Sequence, residues 1–337
     1  MKKQQTFMLF LGICTIFIVT RRYLYSISMN GESMITDINQ NKSRLTDFPV
    51  NNSKIININQ NNSRVTDILV RTWKGDGHWL IFLLRSIEKF VSRDSYRNVI
   101  ITYDKSDAHF FNSYLPKFKT LPIKTIAASS NKGWKYGHNN GGYHAQIYSK
   151  MMAHTYSDAD FFVHIDSDCI FNQNINSSHF FDSNGRVYLS PVRFSDLPPN
   201  FRIWQNVSQS MLLVPVEFET MTRLPLVYPR VLYPAVLDHI SKVHKNKNVL
   251  SVLQQLPSIC EFTSLGAYLM KFMPELWTLF PKEKEGFVNQ GWSWGGFGPE
   301  NVAYYECILR AQKREDCFFA SSLPTPTPTS FFNSFLN

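Results

Sequence analysis

The chain has 337 residues, of which 44% are hydrophobic and 18% are charged. Such a composition supports a buried core, which excludes a disordered chain and a mini-protein held together only by disulfides. The formal net charge is +9, yet no dense Lys/Arg stripe with interleaved aromatic residues occurs, so we expect no nucleic-acid partner.

The N-terminal part has the pattern of a targeting segment. The uncharged apolar run from Phe7 to Val19 lies between Lys2-Lys3 and Arg21-Arg22. No small residues of the A-x-A kind follow it, which favours an uncleaved signal anchor over residues 1–25 rather than a cleaved signal peptide. We expect a single-pass type II protein of the Golgi or another secretory-pathway membrane, with a lumenal C-terminal part. The N-x-S triplets agree with that orientation; they begin at Asn41, Asn51, Asn61, Asn176 and Asn206.

Residues 26–67 form an Asn-rich segment with an internal repeat. The unit at 38–47 returns twenty residues later at 58–67. So polar a unit cannot build a core, which predicts a solvated stalk. Residues 68–320 are then the folded domain, and residues 321–337 are a Pro/Thr-rich tail.

Residues 68–166 alternate between strand and helix patterns. Apolar, β-rich runs predict strands at 68–73, 99–104, 123–128 and 160–166. Helical patterns lie between them at 79–91 and 143–155. Strands that alternate with helices predict an α/β fold with a mostly parallel sheet, in which ligands bind at the carboxyl ends of the strands.

Three aspartates follow predicted strands. Asp166 and Asp168 come directly after a buried strand, and carboxylates are the ligands that Mn²⁺ and Mg²⁺ prefer. The pair therefore predicts a metal site that also holds a nucleotide. Asp104 is a further nucleotide-binding candidate, although an aspartate at a strand end is also a common turn former or helix cap.

The helix before these aspartates carries two further candidates. Gln146 and Lys150 fall on one helical stripe with Tyr143, so they face the same side of the helix. A solvated face is the alternative for Lys150, and the resemblance given next implies that both bind the nucleotide. His164, in the buried strand, is expected to be structural.

At these residues the sequence resembles a known family. Residues 141–171 contain Gly-Tyr-x-x-Gln and Asp-Ser-Asp and resemble the nucleotide-sugar-binding half of GT-A-type glycosyltransferases, in particular a group of nucleotide-diphospho-sugar-transferase-like proteins. Residues 260–268 resemble the Ser-Glu-Phe/Tyr-x-x-Tyr-Gly segment of that group, with Cys260 and Leu265 as departures. The resemblance implies a single GT-A-like domain with a Rossmann-type mixed sheet flanked by helices. It also implies an enzyme that transfers a sugar from a UDP- or GDP-type donor to a glycan, protein or lipid acceptor, with Mn²⁺ or Mg²⁺.

An inverting transfer needs a carboxylate that takes the proton of the acceptor hydroxyl. The candidates are Glu261 and Glu300, either of which is alternatively an acid that favours a helix N-terminus. Trp292 and Trp294 are candidates for stacking on the acceptor, with buried packing as their alternative.

Two other functions remain open at this stage. One is a non-catalytic lumenal module that binds a nucleotide or a sugar, because fold does not determine function. The other is a metal-dependent hydrolase, which is disfavoured because no further carboxylate or His cluster is evident.

Overall fold

The computed structural model describes residues 64–128, 142–199, 202–222, 224–256, 259–281, 287–290 and 299–310. All of them belong to one compact unit, Asn57–Asn337. The predicted anchor, the stalk as far as residue 63, and the Pro/Thr tail lie outside the described residues. Within the described ranges, no helix has the length and apolarity needed to cross a membrane.

The described part of the chain alternates strands and helices. The strands are β1 (Thr66–Arg71), β2 (Val99–Asp104), β3 (Ile123–Ala128), β4 (Phe161–His164), β5 (Cys169–Phe171), β6 (Val187–Leu189), β7 (Val192–Arg193), β8 (Phe218–Glu219), β9 (Leu226–Pro229), β10 (Trp277–Leu279) and β11 (Val288–Gln290). The helices are α1 (Gly77–Phe90), α2 (Ala108–Tyr114), α3 (Gly142–Met151), α4 (Ile203–Leu212), α5 (Leu232–Val243), α6 (Val249–Leu253), α7 (Glu261–Phe272) and α8 (Pro299–Arg310).

Five of the strands form the central sheet, in the order β3-β2-β1-β4-β9. β1 lies parallel to both β2 and β4, with Ile68 opposite Val99 on one side and Val163 on the other. β3 continues the sheet parallel to β2, and β9 closes it antiparallel to β4. The mixed, mostly parallel α/β sheet expected from the sequence is therefore confirmed.

The burial of the central strands explains their sequences. Every residue of β1 and of β4 is buried, as expected for strands that are covered on both faces. Continuous apolar runs such as Ile68-Leu69-Val70 and Phe161-Phe162-Val163 satisfy that environment.

The domain starts earlier than the sequence pattern suggested. β1 begins at Thr66, two residues before the expected boundary at residue 68. Asp67 belongs to this strand and is fully buried, where it accepts hydrogen bonds from Arg97 and Asn98. Its polarity made it look like part of the stalk, but these partners replace the water that a buried carboxylate loses.

The start of α7 is held against the segment that follows β8. Thr220 donates a hydrogen bond from Oγ1 to the carbonyl oxygen of Phe262 at 2.9 Å, and Thr263 donates one to Glu219 at 2.7 Å. Gly266 makes this approach possible, because a Cβ at that position would lie 2.1 Å from Oγ1 of Thr220. These contacts determine where Glu261, the first residue of α7, is placed.

The three cysteines in the described ranges divide into two classes. Cys169 and Cys260 are buried free thiols, and burial raises the pKa of both. Cys307 is disulfide-bonded.

Candidate functional site

The strand order locates the candidate site. From β1 the chain builds β2 and β3 on one side, and β4 is then added on the other side of β1. Such a change of direction opens a crevice at the carboxyl ends of the two strands concerned, here β1 and β4, and ligands of open α/β sheets bind in crevices of this kind. β1 ends at Arg71 and β4 ends at His164, two residues before Asp166.

Asp166 and Asp168 lie in a tight turn at that crevice. The turn is closed by a hydrogen bond of 3.1 Å from the backbone N–H of Cys169 to the carbonyl oxygen of Asp166. Tyr305 of α8 donates a hydrogen bond of 2.8 Å to the carbonyl oxygen of Asp168. The ring of Tyr305 lies in edge contact with Trp79 of α1, so the turn is anchored from two helices. Asp168 is buried, whereas the side chain of Asp166 remains 19% exposed.

Lys150 connects this turn to α7. Its Nζ lies 2.9 Å from Oδ1 of Asp166 and 2.9 Å from Oε1 of Glu261. Burial favours a lower pKa of Lys150, but the charges of the two carboxylates outweigh it and raise that pKa. The ammonium also lies 4.7 Å from the ring centre of Phe262, which adds a cation–π contact. The solvated-face alternative for Lys150 is therefore wrong, since its side chain is only 7% exposed.

The loop after β1 brings a third carboxylate to the crevice. Ser167 donates a hydrogen bond of 3.3 Å to Asp76. Burial raises the pKa of Asp76, and the nearby charge of Asp166 raises it further, although hydrogen bonds with Ser167 and Trp73 act in the opposite direction. Trp73 itself is 52% exposed. A Cβ on Gly75 would lie 2.3 Å from the indole, so the ring packs directly over this glycine.

An ion pair joins the ends of β1 and β2. Nη2 of Arg71 lies 2.5 Å from Oδ1 of Asp104, and Arg71 also donates to the carbonyl oxygens of Thr72 and Thr102. The guanidinium is 3% exposed and the carboxylate 24% exposed. Asp104 therefore lies partly open to solvent at the carboxyl end of β2, and its side chain makes no capping hydrogen bond with the turn that follows.

The structure describes the other predicted site residues to different extents. Gln146 lies half-buried on α3, one turn before Lys150. Glu300 is the second residue of α8, in a turn whose side chains are outside the described part of the chain, and Trp292 and Trp294 also lie outside it.

His164 has the structural role expected of it. It is buried, and its Nε2 lies 2.5 Å from the hydroxyl of Tyr233. Burial and the charge of Lys150 lower the pKa of His164 to about 3, so the imidazole is neutral at physiological pH.

The side chains of Asp166 and Asp168 determine which metal ions this turn suits. Across the described residues, no three His, Cys, Asp or Glu side chains come together as a ready-made metal cluster. Asp166 and Asp168 nevertheless match Mn²⁺ or Mg²⁺, because these ions bind one or two carboxylates and complete their shell with substrate phosphates and water. The residues fit such an ion when it arrives with a phosphorylated substrate.

Four residues of this site belong to no motif in the sequence. Arg71 and Trp73 lie at the end of the predicted strand 68–73, and Asp76 stands among ordinary turn residues. Tyr305 reaches Asp168 from 137 residues away. Only the rule that loops at the carboxyl ends of parallel strands converge points to the first three.

The chain matches a family model and is similar to several solved structures. A family model described as "Family of unknown function (DUF6492)" matches residues 65–277. No curated protein matches the chain. A solved structure of the galactosyltransferase LgtC with donor and acceptor sugar analogs is 10% identical, with a TM-score of 0.44, over 79% of this chain and 99% of that one. Mouse xyloside xylosyltransferase 1 is 11% identical, with a TM-score of 0.37, over 64% and 85% of the two chains. Because these TM-scores are below 0.5, function is argued from the chain's own residues.

Proposed function

The chain belongs to DUF6492, a family of unknown function, and we propose from its site that it is a glycosyltransferase that uses a nucleoside diphosphate sugar. The observation that supports this most directly is the Asp166–Lys150 pair with Asp168 at the crevice between β1 and β4. A metal ion held by carboxylates neutralises a diphosphate, and this crevice offers two carboxylates for such an ion beside the buried Lys150. The donor is of the UDP or GDP type, and the acceptor is a glycan, a protein or a lipid.

Each candidate residue has a proposed role. Asp166 and Asp168 would hold Mn²⁺ or Mg²⁺ together with the donor phosphates, and the ion would supply Lewis-acid stabilisation of the departing nucleoside diphosphate. Asp104, at the end of β2, binds the nucleoside part, and Gln146 binds the donor from α3. Trp292 and Trp294 bind the acceptor.

We also propose inversion, with Glu300 as the base that takes the acceptor proton. Glu261 does not suit that role, because it is 4% exposed and already bound to Lys150. Glu300 lies in the helix that contacts Asp168 through Tyr305, five residues further along. The reaction takes place in the secretory lumen, with residues 1–25 as the membrane anchor.

The test is calorimetric titration of UDP and of GDP into the full chain, with Mn²⁺ and with EDTA. We expect one nucleotide to bind only with the metal, and Asp168→Asn to abolish that binding. A nucleotide bound equally well in EDTA contradicts the metal-dependent site, and binding without hydrolysis or transfer of any donor sugar favours the non-catalytic module. Absence of binding in every condition contradicts the proposal.

A further inference from the structure

Lys150 shares its charge between two carboxylates from different parts of the fold. One belongs to Asp166, beyond the end of β4, and the other to Glu261, the first residue of α7. Both carboxylate oxygens lie 2.9 Å from the same nitrogen. Lys150 and Glu261 are almost completely shielded from water, with side-chain exposures of 7% and 5%.

The formal charges of Lys150, Asp166 and Glu261, the trio, do not cancel. One ammonium faces two carboxylates, so the trio carries a net charge of −1. Without the charge of Glu261, Lys150 and Asp166 would form a neutral pair. A neutral pair attracts a divalent cation much less than a carboxylate that keeps part of its negative charge. The shielding of the trio makes this difference larger than it would be in water.

We infer that Glu261 is a positioning residue that keeps Asp166 available to a divalent cation by holding part of the charge of Lys150. The inference rests on the proposed function, since it concerns the same nucleotide and metal site. It assigns Glu261 a role that differs from that of a base, because Glu261 acts through Lys150 and touches neither donor nor acceptor.

The surroundings of Glu261 support this assignment. α7 is fixed at its start by two hydrogen bonds, one from Thr220 to the carbonyl oxygen of Phe262 and one from Thr263 to Glu219. These bonds hold the backbone beside Glu261, and the ion pair with Lys150 holds its side chain. Glu261 is also the first residue of α7, and the N-terminus of a helix interacts favourably with a negative charge.

The experiment measures Mn²⁺ affinity by electron paramagnetic resonance in the full chain, with UDP or GDP present. We expect Glu261→Gln to weaken Mn²⁺ binding roughly tenfold, since it removes one negative charge close to the ion. Glu261→Asp retains the charge and should restore most of the affinity. Lys150→Met removes the competing ammonium and should shift the affinity in the opposite direction, which loss of structure would not do.

The matched control is Asp182→Asn. Asp182 is also largely shielded, with a side-chain exposure of 13%, and also pairs with a cation, but that cation is Arg186 rather than Lys150. Its variant should bind Mn²⁺ as the unmodified chain does. If Glu261→Gln binds Mn²⁺ normally while the unmodified chain binds the metal and nucleotide, the inference is overturned and the proposed function stands. If the unmodified chain binds neither, the proposed function fails and the inference fails with it.

Discussion

Arg71 and Asp104 join the carboxyl ends of β1 and β2 through an ion pair of 2.5 Å between a buried guanidinium and a partly exposed carboxylate. We expect Asp104→Asn to lower the free energy of unfolding by about 2 kcal/mol, because it leaves the charge of Arg71 buried without its counter-ion. The partial exposure of Asp104 keeps this below the cost of a fully buried pair. Urea unfolding measures the loss, and Asp94→Asn on the exposed surface is the control.

The same variant tests the nucleotide role of Asp104. In the folded protein, Asp104→Asn should weaken UDP or GDP binding by tenfold or more, since a carboxylate that accepts hydrogen bonds from the nucleoside becomes a weaker amide acceptor. Normal nucleotide affinity in a variant of reduced stability would show that the ion pair only supports the sheet.

Trp73 provides a second test of the crevice. An exposed indole that packs over Gly75 beside Asp76 offers a rigid face for stacking. We expect Trp73→Ala to weaken nucleotide binding by roughly tenfold, the scale of one base–aromatic stack, and Trp73→Phe to retain most of the affinity. Titration by intrinsic fluorescence should show quenching by nucleotide that is lost in both variants. Ile203→Ser alters an equally exposed apolar residue on α4 and should change neither signal; normal affinity of Trp73→Ala would exclude the stacking role.

The central sheet was predictable because short local sequence patterns identify its strands. Continuous apolar runs such as Ile68-Leu69-Val70, bounded by turn residues, predict buried strands with little ambiguity. Asp166, Asp168 and Lys150 could also be identified as site candidates from the sequence, because they lie on one short stretch of helix, strand and turn. The pattern placed the two carboxylates at the carboxyl end of a strand, whereas only the contact with Asp166 decided between the two alternatives for Lys150.

Contacts between residues that lie far apart in the sequence were not predictable in this way. Glu261 looked like a free carboxylate in a motif, because nothing near it in the sequence shows that it meets Lys150. Asp67 looked like stalk for the same reason, since its partner Arg97 lies 30 residues away. A single sequence reports the polarity of such a residue but not the tertiary partner that compensates its burial.

The packing of α7 predicts an unusual effect at Gly266. In a helix interior, Gly→Ala normally stabilises by about 1 kcal/mol. Here the added methyl group would overlap Thr220, which is fully buried and already bonded to Phe262. We expect Gly266→Ala to destabilise the protein by about 2 kcal/mol, the scale of overpacking in a core, as measured by urea unfolding. In a Thr220→Ala background, which lacks the crowded hydroxyl and methyl groups, Gly266→Ala should cost less than it does in the unmodified chain; an unchanged or raised stability of the single variant would contradict the packing.

Asp67 predicts a specific dependence of stability on pH. Burial raises the pKa of Asp67, but hydrogen bonds from Arg97, Ser157 and Asn98 outweigh it, so the pKa lies below its ordinary value. A carboxylate whose pKa is lower in the folded state adds stability above about pH 4, and that stability is lost as the pH falls through the folded pKa.

Asp67→Asn should therefore be less stable than the unmodified chain at pH 7, and the difference should shrink between pH 5 and pH 3. Thermal unfolding across that range measures it. Asp158→Asn is the control, because Asp158 pairs with the same Arg97 but is 83% exposed and should contribute little. A difference that stays constant with pH would show that the ionised form of Asp67 does not stabilise the fold.

The lumenal location is testable at Asn176, which begins one of the two N-x-S triplets in the folded domain. Asn176 is exposed in a short turn, and its side-chain oxygen accepts hydrogen bonds of 3.1 Å and 2.7 Å from the backbone N–H and the hydroxyl of Ser178. The triplet of Asn206 lies within α4, and its Ser208 is 1% exposed. A bulky glycan is accommodated more easily on the exposed turn.

In eukaryotic secretory cells we expect Asn176→Gln and Ser178→Ala each to lose one glycan, seen as a smaller mass shift on enzymatic deglycosylation. Asn206→Gln should keep the full shift, since we expect no glycan on α4. A chain that shows no shift at any of its triplets would place the domain outside the lumen, and the proposed orientation of the anchor would then be wrong.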